Sequence, residues 1–158
     1  MAANTLSRSI VRWALALITA AGLAIQAYVH FDLASTYDFV KSSTLSQGDL
    51  FRVEGTLAVI AAAAVLLRPR RYAAAFAFLV AAAGTAAVLV YAHVDVGAIG
   101  PIPNMYDPIW YPEKTLSVWA EAIAAVAALA LFVVLHIEAR RTQTRYQVHD
   151  GAGQSAYT

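Results

Sequence analysis

Four ionisable residues lie in or beside long apolar runs of the sequence: His30, His93, Glu54 and Glu121. On insertion scales, an ionisable side chain in a membrane span costs about 2.5–3.5 kcal/mol, so it usually faces the bundle interior and marks a functional site. Imidazole and carboxylate groups favour Zn, Fe or Mn as metal ligands. The same groups suit a proton relay or a quinone site. These residue types leave the three chemistries open.

A repeated pattern relates the two halves of the chain. Residues 28–32 read Tyr-Val-His-Phe-Asp and residues 91–95 read Tyr-Ala-His-Val-Asp, and a glutamate follows each in the next apolar run. This predicts a duplicated two-helix hairpin whose two copies are parallel, which places the two histidines and two glutamates at one depth. In a metal site, Asp32 and Asp95 would orient the imidazole rings by accepting a hydrogen bond from the ring nitrogen that does not bind the metal. Tyr28 and Tyr91 would add hydroxyl donors.

Each of these residues also has a purely structural interpretation. A histidine near the membrane boundary often has only its polar tip in water. Glu54 could form an inert ion pair with Arg52 or Lys114. The aspartates suit turns and helix caps.

The composition excludes several classes of protein. The chain has 158 residues, of which 60% are hydrophobic and 13% charged, against roughly 45–50% and about 25% in soluble domains. A formal net charge of +1 does not favour nucleic-acid binding. The chain has no cysteine, which excludes disulfides and thiolate chemistry.

The elements that would position these residues are four apolar runs. A bilayer core needs roughly 20 apolar residues in a helix, and the runs that qualify span about 10–31, 50–67, 72–93 and 116–136. They predict an all-α polytopic membrane four-helix bundle over residues 10–136, with a short N-terminal segment, 1–9, and a polar, disordered tail, 137–158.

Basic residues predict the orientation. Eight of the eleven lysines and arginines flank the N-terminus, the turn at 68–71 or the tail, so both termini are expected in the cytoplasm of a multi-pass cell-membrane protein. The longer connections, about 33–49 and 94–115, would then face outward. The triplet at 22–24, Gly-Leu-Ala, leaves open a cleaved signal peptide, although the apolar run is longer than the usual one.

Short motifs resemble the DoxX-like group of small four-span membrane proteins, and small four-span actinobacterial membrane proteins in general. They are His30-Phe31, Glu54-Gly55 and the Leu-Leu-Arg-Pro-Arg-Arg turn at 66–71, within a likeness over roughly residues 10–136. The resemblance implies an association with quinone-side or redox membrane complexes.

The leading functional prediction is a small membrane accessory or interaction protein without turnover of its own, rather than an enzyme. Its partners would be the lipid bilayer and a larger membrane complex or further copies of the chain. One alternative is a redox protein that binds a metal or a quinone through His30, His93, Glu54 and Glu121. A second is a proton-coupled transporter of a small solute, which would require an oligomer because four spans enclose little space.

Overall fold

The protein is all-helical over the part of the chain that the structure describes. The computed structural model describes the backbone of residues 2–154 and the side chains of residues 6–141. It contains four helices: α1 (Ala2–Ala34), α2 (Gln47–Leu67), α3 (Arg71–His93) and α4 (Pro112–Gln154). Within that part, extended pairing is limited to two isolated bridges in the loops. The prediction of an all-α fold is confirmed.

Each helix contains a segment that is long and apolar enough to cross a membrane, as the four apolar runs predict. These segments are Leu6–Ala34, Gln47–Leu67, Arg71–His93 and Pro112–Arg141. Three begin several residues earlier than the runs indicate, because polar residues of the flanks also join the helices. The predicted disordered tail begins at residue 137. The α4 backbone continues through it to Gln154, and residues 155–158 lie outside the described residues.

Local sequence fixes the ends of the helices. Ser46 caps α2: its hydroxyl accepts a hydrogen bond from the backbone N–H of Asp49, whose carboxylate accepts one from the Ser46 N–H. This reciprocal pair satisfies two N–H groups that the first turn leaves without helical partners. The α2 helix ends at Leu67, just before Arg68 and Pro69, because a proline cannot donate the next hydrogen bond. At α4, Pro112 occupies the first helical position, where its fixed φ angle is favourable.

The helices form a bundle in which α1 packs against α2 and α4, and α3 packs against α4 and α2. The core is rich in alanine, for example Ala58, Ala81 and Ala124, all fully buried. A Cβ atom on Gly22 of α1 would lie 2.6 Å from the Ala120 carbonyl oxygen of α4. Small residues therefore let these helices approach closely, as is usual in membranes.

Candidate functional site

A cavity of about 390 Å³ lies among the helix ends that adjoin the two long loops. All four helices and the connection between α3 and α4 contribute to its wall. Apolar side chains such as Phe51 and Met105 make up most of the lining. The polar lining residues are Asp107, Gln47, Glu54, His30, Lys114, Ser117, Tyr91 and Tyr111.

Behind this wall lies a completely buried carboxyl group, that of Glu121. Ser117, one turn earlier on α4, donates a hydrogen bond from Oγ to Glu121 Oε1 at 2.6 Å. The other oxygen, Oε2, is buried and has no hydrogen-bond partner within the described residues. One side of this carboxyl group is therefore unsatisfied.

Gln26 of α1 links the buried group to the second glutamate. Its amide Nε2 donates to Glu54 Oε1 at 2.8 Å, which fixes the amide orientation because only the nitrogen can donate. The amide oxygen then has no partner among the described side chains and backbone. Gln26 is fully buried, and Glu54 is only partly so.

His30 lies one turn after Gln26 on the same face of α1. Its Nδ1 is 2.9 Å from the Gln26 carbonyl oxygen and 4.0 Å from Glu121 Oε1. A carbonyl oxygen only accepts, so Nδ1 carries the proton in the neutral imidazole and Nε2 has a lone pair. The ring meets Phe51 edge-on, with centroids 5.2 Å apart. His30 thus presents an acceptor beside the cavity.

The space for these polar groups depends on Gly84 of α3. A Cβ atom there would lie 2.8 Å from Gln26 Nε2 and 2.9 Å from Glu121 Oε2. A larger residue would displace one of them, because real Cβ atoms essentially never come this close to another heavy atom. Gly84 also lines the cavity, so it adjoins both that space and the buried carboxyl group.

Hydrogen bonds between the two long loops lie next to the cavity. The Tyr37 hydroxyl donates to Asp107 Oδ2 at 3.3 Å and lies 2.8 Å from the Tyr111 hydroxyl. Burial raises the pKa of both tyrosines. Lys114 is nearly fully buried; its Nζ contacts the Asp107 backbone oxygen, donates to the Ile109 oxygen at 3.1 Å and lies 3.4 Å from Asp107 Oδ2. This outer network, Tyr37, Asp107, Tyr111 and Lys114, joins the first hairpin to the second.

A second ion pair, between Arg52 and Asp38, stabilises the first loop. Arg52 donates to both carboxylate oxygens of Asp38, at 2.8 and 2.7 Å, and to Asp49 at 3.2 Å. The guanidinium group lowers the pKa of Asp38 below its ordinary value. Arg52 and Lys114 are therefore paired with aspartates, so the expectation of an inert ion pair between either of them and Glu54 is wrong.

The structure brings together three of the four residues singled out in the sequence, His30, Glu54 and Glu121. The fourth, His93, is exposed at the end of α3, where its Nδ1 lies 2.8 Å from the Leu89 carbonyl oxygen and its ring faces Trp110. His93 does not line the cavity.

The four residues expected to support the site are more scattered. Tyr91 lines the cavity, whereas Tyr28 and Asp32 lie on the exposed face of α1. Asp95 accepts hydrogen bonds from the Gly97 N–H and the Asn104 amide in the second loop. His30 Nδ1 donates its hydrogen bond to the Gln26 carbonyl oxygen rather than to an aspartate. Within residues 6–141, no three His, Asp or Glu side chains are grouped closely enough to hold a metal ion.

Sequence reasoning missed Gln26, Ser117 and Gly84. The signal for the first two was present: Gln26 lies four residues before His30, and Ser117 four before Glu121. Positions four apart share a helix face, so each pair extends a polar stripe. Gly84 carries no comparable signal, since a lone glycine in an alanine-rich run does not reveal what faces it.

Comparisons with known proteins found no matching family model, no matching curated protein and no matching solved structure.

Proposed function

We propose that this chain is an integral membrane protein that binds one small amphipathic molecule in the cavity beside His30 and Glu54. The supporting observation is an apolar cavity with a few convergent polar groups inside a bundle of membrane-length helices. Ligand sites have this composition, and their volumes run from about 300 to 1,000 Å³. The cavity, at about 390 Å³, suits a single-ring compound.

The proposal includes the orientation that the basic residues indicate. Both termini face the cytoplasm, the cell membrane is crossed four times, and the cavity lies in the outer half of the bilayer. A ligand would be drawn from the outer leaflet or the medium beyond it.

It also includes the duplicated hairpin, with α1–α2 as one copy and α3–α4 as the other. Glu54 and Glu121 are equivalent in this scheme, and both adjoin the site. His30 and His93 differ in burial, so in this scheme the second copy has lost the buried histidine while the glutamate is kept.

A ligand-binding function is compatible with several of the functions that the sequence predicts. A subunit of a larger complex, as the DoxX-like resemblance implies, would use the cavity to hold a molecule for its partner, and a quinone is one candidate. A transporter would release the molecule on the other side. A metal centre has less support, because the described part of the chain lacks a three-ligand group.

Filling the cavity tests the proposal. Ala87 lines it, whereas the neighbouring Ala86 is exposed elsewhere on α3. In lipid nanodiscs, calorimetric titration with three probes, 4-phenylbutan-1-ol, 4-phenylbutylamine and a short-chain benzoquinone, is expected to show one-to-one binding of at least one. The Ala87→Trp variant should abolish this binding, since the indole occupies the cavity, and Ala86→Trp should retain it.

Empty nanodiscs correct for partitioning of the probes into lipid. The proposal is overturned if none of the three probes binds, or if both tryptophan variants bind as the native chain does.

A further inference from the structure

Two hydrogen-bond acceptors, on His30 and Glu54, lie together at one side of the cavity. The lone pair on His30 Nε2 and the second carboxyl oxygen of Glu54 have no donor within the described residues. Behind them, Gln26 Oε1 and Glu121 Oε2 are buried and also lack partners. The Ser117 hydroxyl proton is already donated to Glu121 Oε1. A ligand that enters the cavity displaces water from His30 Nε2 and Glu54, so it must itself supply the donors that these acceptors lose.

The charges near the wall are also unbalanced. In the described part of the chain, Lys114 pairs with Asp107, and Arg52 pairs with Asp38 and Asp49. Among residues 6–141, only the His30 imidazole lies within ion-pair distance of Glu121, at 4.0 Å, and Glu54 has no cationic side chain that close. Glu54, the glutamate that lines the cavity, therefore has no cationic side chain among the described residues to balance its charge. Carboxylates at membrane depth require a partner.

We infer that the ligand is a protonated amine with a small apolar body, that is, a lipophilic organic cation. The inference rests on the proposed function, because it names the class of molecule that the same cavity takes. The ammonium group donates to Glu54, which lines the cavity. The hydrocarbon part packs against apolar lining residues such as Phe51 and Met105.

Lys114 does not oppose this arrangement. Its ammonium is already paired with Asp107 and held by two backbone carbonyl oxygens. It lies seven residues from Glu121 along α4, about 10 Å along the helix axis. The ammonium group of the ligand therefore contacts Glu54 at the end of the cavity nearer the membrane centre. At the other end, Asp107 neutralises the positive charge of Lys114.

Two probes of nearly equal shape test the inference. At pH 7, 4-phenylbutylamine is a cation, since alkyl amines titrate near pH 10, whereas 4-phenylbutan-1-ol is neutral. Calorimetry in nanodiscs of zwitterionic lipid is expected to give a dissociation constant for the amine at least about tenfold lower than for the alcohol.

The Glu54→Gln variant assigns that preference to the site. We expect it to remove the preference for the amine while it still binds the alcohol, which also shows that the variant folds. The matched control is Glu113→Gln, since Glu113 is an exposed glutamate in the first turn of the same helix as Glu121. It should retain the native preference.

The possible results separate the two proposals. Equal or tighter binding of the alcohol or the benzoquinone by the native chain overturns the amine inference and leaves the binding function intact. A preference that Glu54→Gln leaves unchanged also overturns it. If no probe binds the native chain, the proposed function itself fails.

Discussion

The Glu121 carboxyl group is completely buried, so it depends on neighbouring residues for every hydrogen bond. Ser117 supplies the one donor that the described residues give it. His30 and Gln26 are close by, but each directs its own donor elsewhere. Because water does not reach this carboxyl group, a hydrogen-bond donor that is removed from it is not replaced by solvent.

Replacing Ser117 with alanine tests this dependence. Loss of the hydroxyl leaves both Glu121 oxygens unsatisfied, which should lower the free energy of unfolding by about 1–3 kcal/mol. Thermal unfolding in detergent measures the change. The exposed loop serine changed in Ser43→Ala is the control.

A second substitution should restore most of the loss. Removing both partners of a buried hydrogen bond is often nearly neutral, so the double variant Ser117→Ala, Glu121→Leu should approach native stability. If Ser117→Ala unfolds at the same temperature as the native chain, the hydrogen bond carries no net stabilisation.

At the scale of helices, small residues without polar side chains set the distance between neighbouring helices. The close approach of α1 and α4 at Gly22 leaves no room for a side chain. Gly84 of α3 likewise leaves no room for a side chain beside Gln26 and Glu121, and it lines the cavity.

The variant Gly22→Val should force α1 and α4 apart. Its Cβ would overlap the Ala120 carbonyl oxygen, and overpacking of this kind costs about 1–3 kcal/mol. Ala21→Val places the same side chain one residue away, on the exposed face of α1, and should leave the unfolding temperature nearly unchanged. Equal effects from the two variants would contradict the close packing at Gly22.

Sequence patterns predicted these helices more fully than they predicted the site. The length of an apolar run reflects the thickness of a bilayer, so four runs predicted four helices. The matching motifs around His30 and His93 could not reveal which helix face is buried. The difference lies one turn earlier, where Gln26 extends a polar face and Leu89 does not. Gly84 meets Gln26 and Glu121 only through tertiary packing, which no local pattern encodes.

For the whole molecule, the outer network connects the two hairpins through polar contacts next to the cavity. Tyr37 comes from the first loop, whereas Asp107, Tyr111 and Lys114 belong to the second loop and the start of α4. The second loop also contributes Ile102 and Met105 to the cavity wall. The position of this loop therefore determines how closed the cavity is.

Lys114→Met should loosen the second loop. The apolar side chain keeps most of the packing but loses the contacts to Asp107 and Ile109, so amide hydrogen exchange over residues 94–111 should accelerate about tenfold. The Asp107 N–H, which donates to the Tyr91 carbonyl oxygen at 3.0 Å, is the most direct reporter. Lys41→Met changes an exposed lysine of the first loop and should not alter exchange there. Unchanged exchange in Lys114→Met would show that other contacts hold the loop.

The outer network also orders events during synthesis. Tyr37, His30 and Glu54 leave the ribosome long before Tyr111, Lys114 and Glu121, so the outer network cannot be completed until the last helix begins to insert. Up to that moment Glu54 has its hydrogen bond from Gln26 within the first hairpin but lacks the part of the cavity wall that α4 supplies. Arrival of the fourth helix brings Glu121 close to His30 and completes the wall of the cavity in the same step, so a chain stalled before it would lack the cavity.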